Sequence, residues 1–431
     1  MAQTSDFPLV PLSDLIVPRH ERVRVDGVLE DWQPITIKFS GEVLPRGRTE
    51  VFKGAMFAAY PGDIVFSRID ARNGAVGVIP ESIPKAVVTS EYPVFTPKAD
   101  KLRADYLCLL LRAEYFKADL QRKASGTSGR KRITPEGFLS LEIPVPSLKE
   151  QDALITAYTD ALARAAQLEQ EADVIERSGW QAFEAALGIA PPPPLPDRPV
   201  FVARFKDVER WSHESIVRSS TSGPKHQYSW PIVRLGDLVA NLENGWSPKC
   251  YNHPAREGKW GVLKLGAVSF GTFDATENKE LPANLKPRLE YEVKTGDVLI
   301  GCANSDARYV GACVYVESTP PRLMLCNKIF RVRFRSDSKL LPRFLAEAMK
   351  LHLVREQIKS RLAGTSPTMK SISKSSLLCL EFPLPDFEIQ KQLIEGVIST
   401  QTTAAAKRAK AAAMRQSAWA AFYARIFRGS F

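Results

Sequence analysis

The sequence predicts a mixed α/β (α+β) protein: two pseudo-repeated globular domains separated by two long antiparallel coiled-coil helices. Two long tracts without proline, and a set of short landmarks that recur in one order in both halves of the 431 residues, predict it. The 44% apolar content suits soluble cores of this size.

The first tract runs from Ser147 to Leu187, between Pro144 and Pro146 on one side and Gly188 and Pro191–Pro194 on the other. Ser147 with Glu150 forms a capping box, whose hydroxyl and carboxylate satisfy backbone donors left open at a helix start. Gly188 supplies the left-handed residue that ends many helices, and the prolines forbid resumption. Leu148, Ile155 and Leu162 fall seven apart. Leu168 and Ile175 resume that spacing after a slip, which reads as a coiled-coil seam with a stutter. Some forty residues make a rod of roughly 60 Å, and a rod that long needs a partner. The second tract, Asp386–Phe427, offers one through Ile394, Ala404, Ala411, Ala418 and Phe422, which Ala161, Ala165 and Ala172 can meet closely.

In chain order, the opening F-P-L-V-P-L-S-D-L-I-V of Phe7–Val17 predicts a strand and a short helical turn, restated by W-P-I-V-R-L-G-D-L-V at Trp230–Val239. Pro61-Gly62-Asp63 and Thr295-Gly296-Asp297 each predict a turn leading into a buried strand. A return strand follows, carrying Val-Gly-Val in Asn73–Val78 and Val-Gly-Ala in Arg308–Cys313. Next comes a short amphipathic helix, Ala104–Leu120 against Leu341–Ile358. Ser125-Gly126-Thr127-Ser128 then echoes Ala363-Gly364-Thr365-Ser366, and I-P-V-P-S-L at Ile143–Leu148 echoes F-P-L-P-D-F at Phe382–Phe387. Periods this long mean duplicated domains, not a solenoid. The expected division is a first domain over 1–146, a helix over 147–188, a linker over 189–199, a second domain over 200–384 and a helix over 385–431. Ala190–Pro199, A-P-P-P-P-L-P-D-R-P, reads as a stiff polyproline II spacer.

Fifty-nine Lys and Arg against 48 Asp and Glu leave a net charge of +11, which favours a polyanion such as nucleic acid. The six cysteines are scattered without a C-x-x-C pair or histidines at finger spacing, so a zinc site is not expected and a reduced compartment is. The N-terminal M-A-Q-T-S-D has neither the basic nor the apolar region of a signal peptide, and no apolar run suits a membrane span. A cytoplasmic location without membrane partners is therefore expected.

No phosphate-binding or dinucleotide glycine motif occurs, nor an Asn-Pro-Pro-Tyr or Asp-Pro-Pro-Tyr stretch of an amino-methyltransferase. Asp63 with Glu81 or Glu91, and Asp297 with Glu317, are conceivable nuclease carboxylates, but an aspartate after a turn glycine ordinarily bonds its own backbone. No catalytic residue, cofactor or metal ligand is assigned.

What remains is basic and amide residues on loops. Lys123, Arg130, Lys131 and Arg132 flank a glycine-rich turn containing Thr127, and Lys370 and Lys374 follow the equivalent turn containing Thr365. Such turns offer amides, hydroxyls and cations to phosphate oxygens. Arg46, Arg48 and Lys53 precede the first Gly-Asp turn; Arg68, Arg72 and Asn73 follow it, as Asn304 and Arg308 follow the second, and Lys249 joins them in the second half. Arginine and asparagine on such loops pair with guanine and adenine edges. Arg331, Arg333 and Arg335 alternate with Val332 and Phe334, giving a strand with one basic face, either solvated or a phosphate track.

With its two G-D-[IV], G-T-S and [IF]-P-[VL]-P series, each followed by a long helix, the chain resembles the specificity subunit of type I restriction-modification systems. The likeness covers nearly the whole chain, and I-P-V-P-S-L-K-E-Q at Ile143–Gln151 is its most specific piece. The second copy reads F-P-L-P-D-F-E-I-Q, with Ile389 in place of the expected Glu and Gln390 kept. The resemblance implies a non-catalytic subunit whose domains each read one half of a bipartite target in double-stranded DNA. It implies helices that set the separation and dock two methyltransferase subunits, which use S-adenosylmethionine to methylate adenine, with restriction and translocase subunits completing the complex. A DNA-reading scaffold of another phage-defence methylation complex and a stand-alone site-specific nuclease are the alternatives.

Overall fold

The computed structural model describes residues 5–23, 31–47, 55–124, 132–189, 228–269, 271–363 and 369–427. The chain forms two compact units, Met1–Glu171 with Ala406–Phe431 and Ala172–Ala405. The division falls within the two long helices, Leu148–Ala186 and Phe387–Ile426, and not at their ends. The linker Ala190–Pro199 lies outside the described residues.

In the first unit, Leu9–Pro11 pairs antiparallel with Glu142–Pro144, so the opening echo and the Pro-x-Pro echo meet in one two-stranded ribbon. An antiparallel sheet follows in the order Ile16–Arg19, Val94–Pro97, Ile64–Phe66, Val76–Val78. A second sheet, ordered Arg22–Val23, Met56–Ala59, Ala86–Thr89, Gln33–Ile37, Val43–Pro45, covers a smaller core around Val65, Ile79 and Ile83.

The second unit repeats this plan. Ile232–Arg234 pairs with Glu381–Pro383, and a sheet runs Val239–Asn244, Ile329–Phe334, Val298–Gly301, Cys313–Tyr315. A three-stranded sheet, Asn278–Glu280, Gly261–Leu263, Leu323–Met324, stands where the first unit has five strands.

The Gly-Asp turns show why both residues are needed. Gly62 and Gly296 take φ values of +83° and +92°, in the left-handed region that other residues adopt only under strain. Asp63 and Asp297 then accept the backbone N–H three residues back, Tyr60 N and Lys294 N, each at 2.9 Å. The register of the return strand differs from the sequence reading. Val76 is the counterpart of Cys313, since they pair with Phe66 and Ile300, so Gly74 and not Gly77 corresponds to Gly311. Both of those glycines have positive φ, +100° and +73°, which sets the turn. Each predicted amphipathic helix is in fact two, Ala104–Leu110 with Glu114–Lys123 and Pro342–Ala348 with His352–Ser360. The first of each pair is buried on nearly every side, which an amphipathic reading does not anticipate.

The predicted leucine seam sits on the flanks of the first long helix. Leu148, Ile155, Leu162, Leu168 and Ile175 are half-buried, and the buried positions of that helix are Gln151, Ala165, Ala172 and Phe183. In the second helix Gln390, Val397, Ala404 and Ala411 are buried at the same heptad spacing, so the predicted alanines are the true contact line. Small residues there let backbones approach closely.

In the first unit the two helices run antiparallel, with Glu150 at Arg425 (3.5 Å), and with Glu169 and Glu171 ion-paired to Arg415 and Lys407 (2.6 Å for the lysine). In the second, Gly179 packs directly against Thr400. A second echo, unread in the sequence, explains how a helix end anchors in each unit. Ser178, Trp180 and Phe183 recur as Ser417, Trp419 and Phe422. Phe422 packs on Tyr106 with ring centroids 6.2 Å apart, and Phe183 packs on Phe344, the residue equivalent to Tyr106, at 5.9 Å. Each helix end is then closed by the segment ahead of that unit's first strand. Ser5 Oγ donates to Ile426 O (2.6 Å), and Trp230 Nε1 donates to Ala186 O (2.9 Å). Gly188 has a φ of +72°, the left-handed end that the first tract predicts.

The starts of the helices share one further device. The Gln151 amide, fully buried, accepts from Arg103 N (2.8 Å) and donates to Lys101 O (3.0 Å) and Pro146 O (2.9 Å). Gln390, also fully buried, accepts from Leu341 N (2.9 Å) and donates to Lys339 O (2.8 Å) and Pro385 O (2.9 Å).

Candidate nucleic-acid interface

In the first unit the strand Ile64–Phe66 opens into a loop that Ser67 closes on itself, its N–H donating to Ala75 O (3.0 Å) and its hydroxyl accepting from Asp70 N (3.2 Å). Arg68 is the junction of three segments. Its N–H donates to Glu91 O (3.0 Å) and its carbonyl accepts from Ile133 N (2.8 Å). Its guanidinium reaches Ile133 O (3.4 Å), and Arg132 Nε meets the Glu91 carboxylate at 3.0 Å. Two loops that lie far apart in sequence, around Arg68 and around Arg132, are thus one surface. Glu136 borders it, its carboxyl held below the usual range by its own backbone N–H first, then by the Thr134 hydroxyl, with Arg68 adding to the effect.

The second unit builds the same backbone junction from different side chains. Cys302 N donates to Lys328 O and Cys302 O accepts from Ile372 N, both at 2.9 Å, so Cys302 stands where Arg68 does and Lys328 where Glu91 does. Ala303–Asn304 pairs with Lys370–Ser371, placing Asn304 opposite Lys370. The Asn304 amide donates to Ser269 Oγ (3.0 Å) and its Oδ1 accepts from Asp306 N (3.0 Å). Ser247 Oγ donates to Asn327 Oδ1 (2.7 Å), which draws the loop carrying exposed Lys249 to the turn carrying exposed Lys328. Sequence reasoning missed Asn327 and Lys328. The signal was present only as pairing between distant segments, which no local motif marks.

Arg72 is half-buried and Asn73 exposed on the short helical turn Ala71–Asn73, where Asn73 Nδ2 donates to Asp70 (3.4 Å). Lys123, ending its helix, donates to Ser140 Oγ (2.9 Å), and Arg46 is exposed at the far edge of the five-stranded sheet. Arg308 is held in a two-pronged pair with Asp306 (2.6 Å at its shortest) yet remains 81% exposed. Lys374 donates to Asn241 Oδ1. Arg48, Lys53, Thr127, Arg130, Lys131 and Thr365 lie outside the described residues.

The alternating arginines form no phosphate track. Arg331 is buried, bonded to Glu243 (3.0 Å) and Asp297 (3.4 Å), and Arg333 shares the same glutamate (2.8 Å). A bulge between Val239 and Asn241 in the neighbouring strand accompanies this arrangement. Of the conceivable nuclease carboxylates, Asp63, Asp297, Glu91 and Glu317 are likewise engaged, and Glu81 is exposed. Asp63, buried, receives Arg19 (2.7 and 3.1 Å), Thr96 Oγ1 (2.8 Å) and Tyr60 N (2.9 Å). Glu91 faces Arg132, and Glu317 pairs with Arg343. No group of three or more His, Cys, Asp or Glu side chains among the described residues is placed to hold a metal ion. Cys108 and Cys326 are buried, which pushes their thiols up to about 12 and about 11. No helix among the described residues is long and apolar enough to cross a membrane.

Residues 51–177 match the family described as type I restriction modification DNA specificity domain. The chain is 23% identical over 370 residues to the type I restriction enzyme EcoEI specificity subunit of Escherichia coli, covering 72% of this chain and 62% of that protein. It is 22% identical over 301 residues to the StySPI specificity subunit of Salmonella potsdam, covering 68% and 57%. It thus spans about three fifths of the length of these relatives. A solved chain from a study of complex assembly and conformational transition of the type I R-M system matches over 100% of both chains, with a TM-score of 0.58 and 15% identity, a likeness of fold.

Proposed function

We propose, from the match of residues 51–177 to the type I restriction modification DNA specificity domain and the similarity to type I specificity subunits, that this chain is the DNA-reading subunit of such a complex. Each unit reads one half of a bipartite duplex target, and the paired helices serve as spacer and as dock for two methyltransferase subunits. The chain itself is non-catalytic. S-adenosylmethionine belongs to the partner subunits, and restriction and translocase subunits complete the assembly in the cytoplasm.

One observation carries this reading: a duplicated backbone junction dressed with different side chains. Arg68, Glu91 and Arg132 in the first unit correspond to Cys302, Lys328 and Ser371 in the second. A duplicated enzyme site would repeat its chemistry. A pair of readers for unlike half-sites keeps the frame and changes the side chains, because base edges are told apart by donor and acceptor pattern while phosphate contacts only position the protein. The docking role is supported in the first unit by an open groove of about 520 Å³ between the helices, lined by Ala153, Ala157, Ala161, Ala418 and Ala421 and flanked by Glu150 and Arg425.

Selection of binding sites from random duplexes by the assembled methyltransferase complex tests the reading. Arg68→Ala with Arg132→Ala is expected to relax one half-site alone, and Asn304→Ala with Lys328→Ala the other. Loss spread evenly over both half-sites by either pair contradicts it.

A further inference from the structure

We propose that Gln151 and Gln390 are positioning residues that fix the direction in which each long helix leaves its unit, and thereby the gap the protein accepts between half-sites. This rests on the bipartite reading above and goes beyond it by naming the joint that sets the geometry.

The two amides do the same work in both units. Each ties three segments together: the residues leading into the first short helix, the Pro-x-Pro exit and the first turn of the long helix. One partner is a backbone N–H and two are carbonyls, and a primary amide is the neutral side chain that supplies one acceptor and two donors in a plane. The arrangement also fixes the amide's orientation, because Oε1 alone can accept from Arg103 N or Leu341 N. A carboxylate lacks the donors, and an apolar side chain strands three buried backbone groups. That requirement accounts for a glutamine at both positions although the preceding residue changes from Glu150 to Ile389.

The surroundings differ. The first joint carries a brace from Arg103 to both Asp152 oxygens (2.8 and 3.1 Å) and a capping contact from Glu150 to Ser147 N (3.1 Å). The residues corresponding to Arg103 and Asp152 in the second joint are Leu341 and Lys391, which cannot form that brace. Direction at the second joint therefore depends on Gln390 more than direction at the first depends on Gln151.

The test uses the full chain assembled with its methyltransferase subunits, on DNA in which the half-sites mapped for the wild-type complex are separated by gaps of different length. Gln390→Met is expected to lower the preference for the native gap over neighbouring gaps by about tenfold. Gln151→Met should do so by less, and Gln151→Met with Asp152→Ala by more than Gln151→Met alone. Methylation reduced evenly at every gap, or unchanged gap preference in all three variants, overturns the proposal. If Gln390→Met does not fold, Gln151→Met with and without Asp152→Ala decides alone, and equal gap preference in the two overturns it. A wild-type complex with no preferred gap removes the bipartite reading itself, an outcome distinct from variants that behave as wild type.

Discussion

The two helix starts solve one problem with different redundancy. In the first unit, Ser147 and Glu150 close the N-terminus, Arg103 braces Asp152, and Gln151 binds three backbone groups. In the second, Gln390 makes the same three bonds, while Ile389 and Lys391 replace the capping and bracing residues. What survives in both copies is the buried, saturated amide; the differences lie in surface interactions, which contribute little individually. A duplicated joint thus keeps the group whose loss would leave buried polar atoms unpaired and lets exposed charges drift.

The largest test breaks the parallel between units at their aromatic anchors. Phe183→Ala and Phe422→Ala each remove a buried ring and should cost about 3–5 kcal/mol. Calorimetry should show Phe183→Ala lowering the transition of the second unit and Phe422→Ala that of the first. A second test separates structure from catalysis at the Gly-Asp turn. Asp63→Ala leaves Arg19 without its buried partner and should destabilise the first unit by about 3 kcal/mol, measured by urea unfolding.

Smaller effects sharpen the contrast between the joints. Glu150→Ala should lower stability by about 0.5–1 kcal/mol through loss of the capping contact, whereas Ile389→Ala should leave amide exchange at the second helix start governed by Gln390. The ion pairs between helices in the first unit give a pH signature. Hydrogen bonds from Arg415 and Lys407 hold Glu169 and Glu171 below the ordinary carboxylate value of 4.5. Their stabilisation is present above that value and is lost as pH falls through the lower folded-state values. Melting between pH 7 and pH 3 should therefore show an acid-dependent loss that Glu169→Gln with Glu171→Gln reduces. Smallest of all, Asp152→Ala should shift the melting midpoint slightly downward while leaving the fold unchanged.

The two rods were legible because proline is excluded from them and their ends carry capping chemistry, and the duplicated strands because Gly-Asp turns announce themselves. Seam depth was not, since Leu148, Ile155 and Leu162 are the larger residues but Ala165 and Ala172 are the ones pressed inward. Nor was the Trp-x-x-Phe echo, whose meaning depends on Tyr106 and Phe344 lying beneath it. At the candidate interface the cation-bearing loops could be found from composition. Their partners could not, because Glu91 meets Arg132 and Asn304 meets Lys370 only through sheet pairing over long separations. The alternating arginines left two readings open for the same reason: a strand pattern gives the face, but Glu243 on the neighbouring strand decides whether that face is free.

The bipartite reading is tested most directly by a map of methylated adenines in DNA from cells carrying this chain together with the methyltransferase subunit proposed above. One recurring motif made of two unlike half-sites separated by an unread gap of constant length is expected, present only when the chain is expressed. An uninterrupted motif, or methylation that does not depend on the chain, would contradict it.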